Sequence, residues 1–249
     1  MVDSPSILLP GEQLAALDLP TPKKNGALTI GPGLKHTPPM IITATTSGTL
    51  HIDHKKAAVC LEHSHGRYLP APGDLVVAQI HRMSGESWQC IITPATQTAL
   101  LHHLNFEATS KKVRPNLKTG DLVYARVARC QRDEDVELEC VDPATHKANG
   151  MGPLKGGMVF GVSPSFARRM MMGTDRGGVS KGHVVVLEEA GQKVHFEVAV
   201  GRNGRVWMDS GSLKATMVIG RLLTNCDEEG WDMQRQRKEV RKALKEIAG

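Results

Sequence analysis

Between Gly73 and Cys140 the apolar positions alternate with polar ones in short runs: "DLVVAQIHR", "SWQCIIT", "TALLHH", "DLVYARVAR" and "DVELEC". A period of two marks a strand with one buried face, so the region predicts five short strands. Five strands of this length suit a small barrel. The first pair turns at "MSGES", where Gly85 supplies the permissive backbone of a hairpin, and the fourth and fifth are joined by the charged turn "CQRDED". The long interval "NFEATSKKVRPNLKTG" falls between strands three and four, where a five-stranded OB barrel carries its excursion. The stretch "PGDLVVAQI" at positions 72–80 also returns as "TGDLVYARV" at 119–127. In each copy Gly-Asp makes the bend and the apolar run is the strand that follows, which marks strands one and four of one closed sheet. The alternative is that Gly-Asp-Leu-Val is simply a common way to begin a strand.

The flanking segments follow other patterns. From Ile41, "IITATTSGTLHIDHKKAAVCLE" is rich in β-branched residues, is broken at Ser47 and Gly48, and predicts a meander of three short strands. Prolines at 5, 10, 20, 22, 32, 38 and 39 argue for a loop-rich lead-in. "GRYLPAPGD", residues 66–74, and "HKANGMGPLKGG" concentrate glycine and proline and suggest domain boundaries. Beyond the second, the pattern becomes mixed α and β. "MVFGVS" reads as a strand, and "SPSFARRMMM" opens a helix with serine followed by proline. "HVVVLEEAG" and "KVHFEVAVG" read as a hairpin pair about Gly191, and "RVWMD" as a further strand. "SLKATMVIGRLLTNC" places Leu213, Met217, Ile219, Leu222 and Leu223 at helical spacing. The last helix, "WDMQRQRKEVRKALKEI", puts Met233, Val240, Leu244 and Ile247 on one face and Arg237, Lys238, Arg241, Lys242 and Lys245 largely elsewhere, a pattern that reads as a solvated basic face. The expected architecture is multidomain: a small all-β domain over 1–68, a central five-stranded OB β-barrel over 69–149, and an α+β domain over 150–249.

Composition narrows the class. In 249 residues, 40% hydrophobic and 23% charged is ordinary for globular protein, and the length suits two or three domains. No apolar run approaches the roughly 18 residues of a membrane span, and "MVDSPSILLPG" lacks the start of a secretion signal, so no membrane partner is expected and the protein should stay inside the cell. Five cysteines (Cys60, Cys90, Cys130, Cys140 and Cys226) without a C-x-x-C pair point to free thiols. A net charge of +5 suits an anionic partner such as nucleic acid, while 4% aromatic residues leave few stacking platforms, so the grip should fall on phosphates.

Few motifs carry chemistry. Gly201, Arg202, Asn203 and Gly204 form the pattern with which a KH module clamps a nucleic-acid backbone. Strand-like "VHFEVAV" and "RVWMD" flank them, however, which favours a tight hairpin with Asn203 and Gly204 as the turn pair. Lys111, Lys112 and Arg114, with Lys118 close by, lie in the long loop of the barrel and are the preferred contacts to nucleic-acid phosphates; the alternative is a loop charged only for solubility. "CLEHSH" brings Cys60, His63 and His65 together without completing zinc-ligand spacing, so no metal is expected. With no P-loop, no G-x-S-x-G and no magnesium-binding acidic cluster, neither catalytic residues nor a cofactor are expected.

The order of parts, with "FEATSKKVRPNLKTGDLVYARV", "ANGMG" and "GRNGRVW", closely resembles the eukaryotic RNA exosome cap subunits that carry an S-one and a KH domain, of the component-three type. The resemblance runs from about Leu8 to the C-terminus. It implies a non-catalytic, RNA-binding subunit seated with two other cap proteins on a ring of RNase PH-like subunits. The N-terminal and KH-like domains would help hold the ring, while the barrel faces the channel that leads single-stranded RNA to a separate 3′-to-5′ exonuclease. It further implies a part in RNA processing and degradation, rRNA included, and placement in nucleus, nucleolus and cytoplasm. Two other readings stand beside it: a pure scaffold whose basic surfaces fit acidic protein partners, and a nuclease, for whose catalytic domains the chain leaves no room.

Overall fold

The computed structural model describes residues 7–14, 19–20, 27–31, 33–39, 41–53, 57–62, 67–94, 97–107, 115–131, 134–173 and 182–248. It divides into two compact units, one ending at Gly66 and the other beginning at Arg67. The first unit is all β. Strands β1 (Ile7–Leu8), β6 (Gly48–Asp53), β7 (Ala58–Glu62) and β3 (Thr29–Ile30) form one sheet, and β2 (Gln13–Leu14), β5 (Ile41–Ala44) and β4 (Leu34–Thr37) form another. Leu14, Ile42 and Val59 are its buried centre. The three-strand meander expected from Ile41 is split: β6 and β7 form a hairpin, while β5 pairs with β4 and β2 instead. The break at Ser47 and Gly48 marks a change of sheet rather than a turn within one.

The second unit opens with the barrel. Strands β8 (Leu75–Ser84), β9 (Ser87–Ile91), β10 (Ala99–His102), β11 (Leu122–Arg129) and β12 (Glu137–Glu139) run in the order β12-β10-β9-β8-β11, and the pairing of β12 with β11 closes the cylinder. The β10–β12 pair is parallel and every other pair around the wall antiparallel. Alternation places Val76, Ala78, Ile80, Trp88, Cys90, Leu101, Val123, Ala125, Val127 and Leu138 inside, all buried.

The repeated stretch accounts for one pairing of the wall. Strands β8 and β11 lie side by side, with Leu75 opposite Arg126 and Leu122 opposite Gln79, so the two copies are related by a local twofold axis. The bonds at their ends follow that axis. Gly73 N donates to Val127 O and Val127 N to Asp74 O, while Gly120 N donates to Ile80 O and Ile80 N to Asp121 O, at 2.8 Å each. Gly73 and Gly120 adopt φ of +91° and +97°, a left-handed conformation that glycine enters without a Cβ clash.

The segment expected to hold the second domain boundary adds a strand, β13 (Gly152–Leu154), which pairs with β11. The rest is an α+β layer. Strands β14 (Met158–Gly161), β16 (Arg205–Asp209) and β15 (Glu197–Val200) form a sheet in that order, backed by helices α1 (Pro164–Met170), α2 (Val186–Gly191), α3 (Leu213–Glu228) and α4 (Met233–Ala248). Ser163 caps α1, its hydroxyl accepting from Phe166 N, with Pro164 in the first turn. The hairpin expected about Gly191 is not formed. Val186–Gly191 is helical, and only Glu197–Val200 is a strand, paired with β16. Burial decides this: Val184, Val185 and Val186 are enclosed, and the buried Gln236 side chain of α4 accepts from Val185 N at 2.8 Å. Tertiary contacts thus override the β preference of three valines.

Candidate nucleic-acid interface

One side of the barrel's outer wall is sealed by the α+β domain. Val77, Leu122 and Tyr124 project outward from β8 and β11 and pack with Leu154, Ala199 and Trp207. Tyr124 OH donates to Val200 O at 3.0 Å, and Trp207 Nε1 donates to Gly156 O at 2.9 Å. Burial pushes the Tyr124 hydroxyl above its ordinary range and keeps it a donor.

Gly201, Arg202, Asn203 and Gly204 sit in this seam, in the turn between β15 and β16. Asn203 is only 7% exposed, and its amide nitrogen donates to Val77 O at 2.9 Å and to Ile92 O at 2.8 Å. Its carbonyl oxygen accepts from Val77 N at 3.3 Å. One amide side chain therefore completes the outward backbone of β8 at Val77, in place of a neighbouring strand. Arg202 N donates to Leu75 O at 2.7 Å, and the Arg202 side chain lies 3.5 Å from Asp74. Asp74 also accepts from Tyr68 OH at 2.8 Å, and burial together with that carboxylate pushes the Tyr68 hydroxyl well above its ordinary range. Gly201 is buried, and a Cβ there would meet Val77 N at 2.7 Å. Of the expected turn pair, Gly204 has a φ of +75° and Asn203 has no positive φ, so the left-handed position falls on the glycine alone. The tetrapeptide faces the barrel, with its backbone and its asparagine engaged there.

On the rest of the wall, Arg205 reaches Ile91 O at the near end of β9 at 3.4 Å, and beyond it, among the described residues, the outward side chains of β9, β10 and the far end of β8 are exposed or half-buried. Arg82 donates through Nε to Gln89 Oε1 at 2.7 Å, with Leu100 opposite Gln89 on β10. The neighbouring row pairs Ser87 with His102, whose imidazole lies 3.7 Å from Glu86. This is the strand pair that OB barrels offer to oligonucleotides. Arg82, Gln89 and His102 were passed over in the sequence: alternation along β9 and β10 already directs Gln89 and His102 outward, whereas Arg82 shares the parity of inward Val76, Ala78 and Ile80 and reaches the outer face only through the register shift between Ile80 and Arg82.

Of the barrel cations predicted to meet RNA, Lys118 is exposed in the turn before β11, where its backbone N–H donates to Asp121 Oδ2 at 2.7 Å. Lys111, Lys112 and Arg114 lie outside the described residues. Charge is unevenly shared. Residues 69–149 carry nine Lys and Arg against ten Asp and Glu, whereas residues 150–249 carry sixteen against eleven. The barrel is slightly acidic as a whole, and the positive excess lies in the C-terminal part. The thiols of Cys90, Cys140 and Cys226 are buried and pushed upward by desolvation, to about 12 for Cys90 and about 11 for Cys226, so they are protonated core groups and not nucleophiles. Among the described residues no three His, Cys, Asp or Glu side chains could hold a metal ion, and no helix is long and apolar enough to cross a membrane.

Comparison with known proteins fits each part. Residues 68–152 match the family model "Exosome complex component RRP40, S1 domain", residues 157–214 the model "KH domain", and residues 28–67 the model "Exosome complex exonuclease Rrp40 N-terminal domain". The exosome complex component rrp40 of Schizosaccharomyces pombe is 36% identical, with 89% of this chain and 88% of the relative covered. The RRP40 component of Drosophila melanogaster is 32% identical with 90% of each covered, and that of Saccharomyces cerevisiae 30% identical with 89% and 88% covered. A crystal structure described as an exosome complex RNA-binding protein shares the fold, at a TM-score of 0.56 and 19% identity over 74% of this chain and 98% of that one. With an N-terminal β domain, a closed five-strand S1 barrel and a C-terminal KH domain in this order, the chain belongs to the RRP40 family of exosome complex components.

Proposed function

We propose that this chain is a non-catalytic, RNA-binding cap subunit of the RNA exosome. In this reading, residues 1–68 and the KH domain help hold a ring of RNase PH-like subunits beside two other cap proteins. The S1 barrel, residues 69–149, guides single-stranded RNA toward an associated 3′-to-5′ exonuclease in the nucleus, nucleolus and cytoplasm. The observation that carries the RNA-guiding role is the asymmetry of the barrel wall. Asn203, Tyr124 and Trp207 fix one side against the KH domain, while the strand pair bearing Arg82, Gln89 and His102 stays open. The relatives' shared description as exosome components supports the assembly.

The mechanism is positional. Cations of the open side and of the loop, Lys111, Lys112, Arg114 and Lys118, neutralise phosphates without reading bases, and the rigid seam fixes where that contact falls relative to the ring. A scaffold role with little RNA contact is favoured by one observation, the small acidic excess of residues 69–149. The two readings separate in the assembled complex. K111A/K112A/R114A should weaken single-stranded RNA binding and make its salt dependence shallower by about 2 in logarithmic slope, at roughly 0.7 for each lost phosphate contact. Parental affinity and slope, with no crosslink from RNA to the barrel, would leave the scaffold.

A further inference from the structure

Helix α4 is held on two sides. Val240 and Leu244 enter the C-terminal core, and Gln236, 2% exposed, donates to His183 O and Trp231 O at 3.0 and 2.9 Å. On one flank, Glu189 of α2, 8% exposed, pairs with Arg237 at 3.3 Å and Arg241 at 3.4 Å. Near the helix start, Arg235 is bonded to Glu229 and lies over the Trp231 ring. These contacts fix the rotation of the helix about its own axis. What then faces solvent is a line of lysines, Lys238, Lys242 and Lys245, each exposed and, among the described residues, in no ion pair with a carboxylate. Steps of four and three residues set them about 5 Å apart along a straight axis. The helix carries six Lys and Arg against two Glu, which accounts for most of the chain's net charge of +5.

We propose that the Lys238–Lys242–Lys245 face of α4 is a second phosphate-binding surface, which takes the backbone of a single RNA strand outside the barrel. The residue type favours RNA over an acidic protein. Lysine is a strongly hydrated point charge that meets phosphates through a water-rich contact, and it is depleted from protein–protein interfaces, where arginine forks are preferred. The arginines of this helix are the cations already engaged with carboxylates, which leaves the lysines for the ligand. No aromatic side chain belongs to α4, so the contact is made to the backbone and tolerates any sequence.

The inference rests on the reading that the chain binds RNA, and the test separates the two. The full chain is titrated with oligouridylate over a salt series, as wild type, as K238Q/K242Q/K245Q, as the charge-reversed triple Lys→Glu, and as K111A/K112A/R114A. The expected result is binding about tenfold weaker for the glutamine triple in moderate salt, with a logarithmic slope shallower by about 2 and an unchanged melting temperature, and a larger loss for the glutamate triple. Parental affinity and slope in both α4 triples, with wild type binding RNA, overturn the inference and leave the barrel reading intact. Loss in the α4 triples with none in the loop variant supports the inference and removes the loop from the path. Absence of RNA binding by wild type at low salt overturns both. Parental RNA affinity with lost incorporation into the complex overturns the inference in favour of an acidic protein partner.

Discussion

The barrel and the KH domain share a seam and meet it by different means. The barrel brings finished walls: closure by β12 satisfies most of its backbone, and its core fills with alternating residues from five strands. The KH domain brings one turn whose asparagine serves the partner's backbone rather than its own. The charge is divided the other way, the barrel slightly acidic and the KH part carrying the positive excess. The comparison teaches that a glycine-flanked tetrapeptide acquires its role from its setting. Between two helices it approaches a phosphate backbone. Between β15 and β16, against Val77 and Ile92, the same glycines allow close approach to another part of the same chain.

Three measurements sharpen that contrast. The largest effect is expected for Asn203→Ala, which strips partners from Val77 N, Val77 O and Ile92 O in a buried seam. About 3 kcal/mol or more of stability should be lost, at roughly 1–3 kcal/mol for each of the three uncompensated groups, and one unfolding transition should split as barrel and KH domain separate. A single transition at the parental midpoint would show the amide to be dispensable. Next comes alkaline pH. The folded-state pKa values of Cys90, Cys140 and Cys226 lie above the ordinary thiol value of 9.0. The stability this gives is complete below about pH 9 and is lost as pH rises toward the folded values. Each thiol should remove ~1.4 kcal/mol per pH unit in that window. With two thiols in the barrel and one in the KH domain, Cys90→Ala should flatten the pH slope in urea titrations more than a surface control does. The smallest effect is that of Tyr124→Phe, which deletes the hydrogen bond to Val200 O and should cost about 1 kcal/mol without splitting the transition.

Much of this was readable in the residues. Alternation located all five barrel strands, and the returning Gly-Asp stretch marked two that prove to be neighbours, because a half-buried strand must repeat with period two and each bend demands glycine. The turn at Gly201–Gly204 was visible from its strand-like flanks. Other features depended on partners far along the chain. Val184–Gly191 opens with a β-like valine run, yet Val186–Gly191 is helical, with the distant Gln236 of α4 accepting from Val185 N at the start of that helix. The departure of β5 to another sheet had no local signal beyond Ser47 and Gly48. Nothing near Asn203 announces a bond to Ile92, which lies 111 positions away. The basic face of α4 was plain in the sequence; which of its cations are already engaged emerged only when Glu189 of α2 was found beneath Arg237 and Arg241.

Closure of the barrel by the three-residue strand β12, parallel to β10 and antiparallel to β11, has a further consequence. An open sheet ends in a ladder of unused amides and carbonyls that any stray extended segment can extend, which is the usual route to edge-to-edge aggregation. By joining the two ends of the barrel sheet, this short segment removes that template from the barrel, which can stand beside other sheet-rich molecules without recruiting their strands.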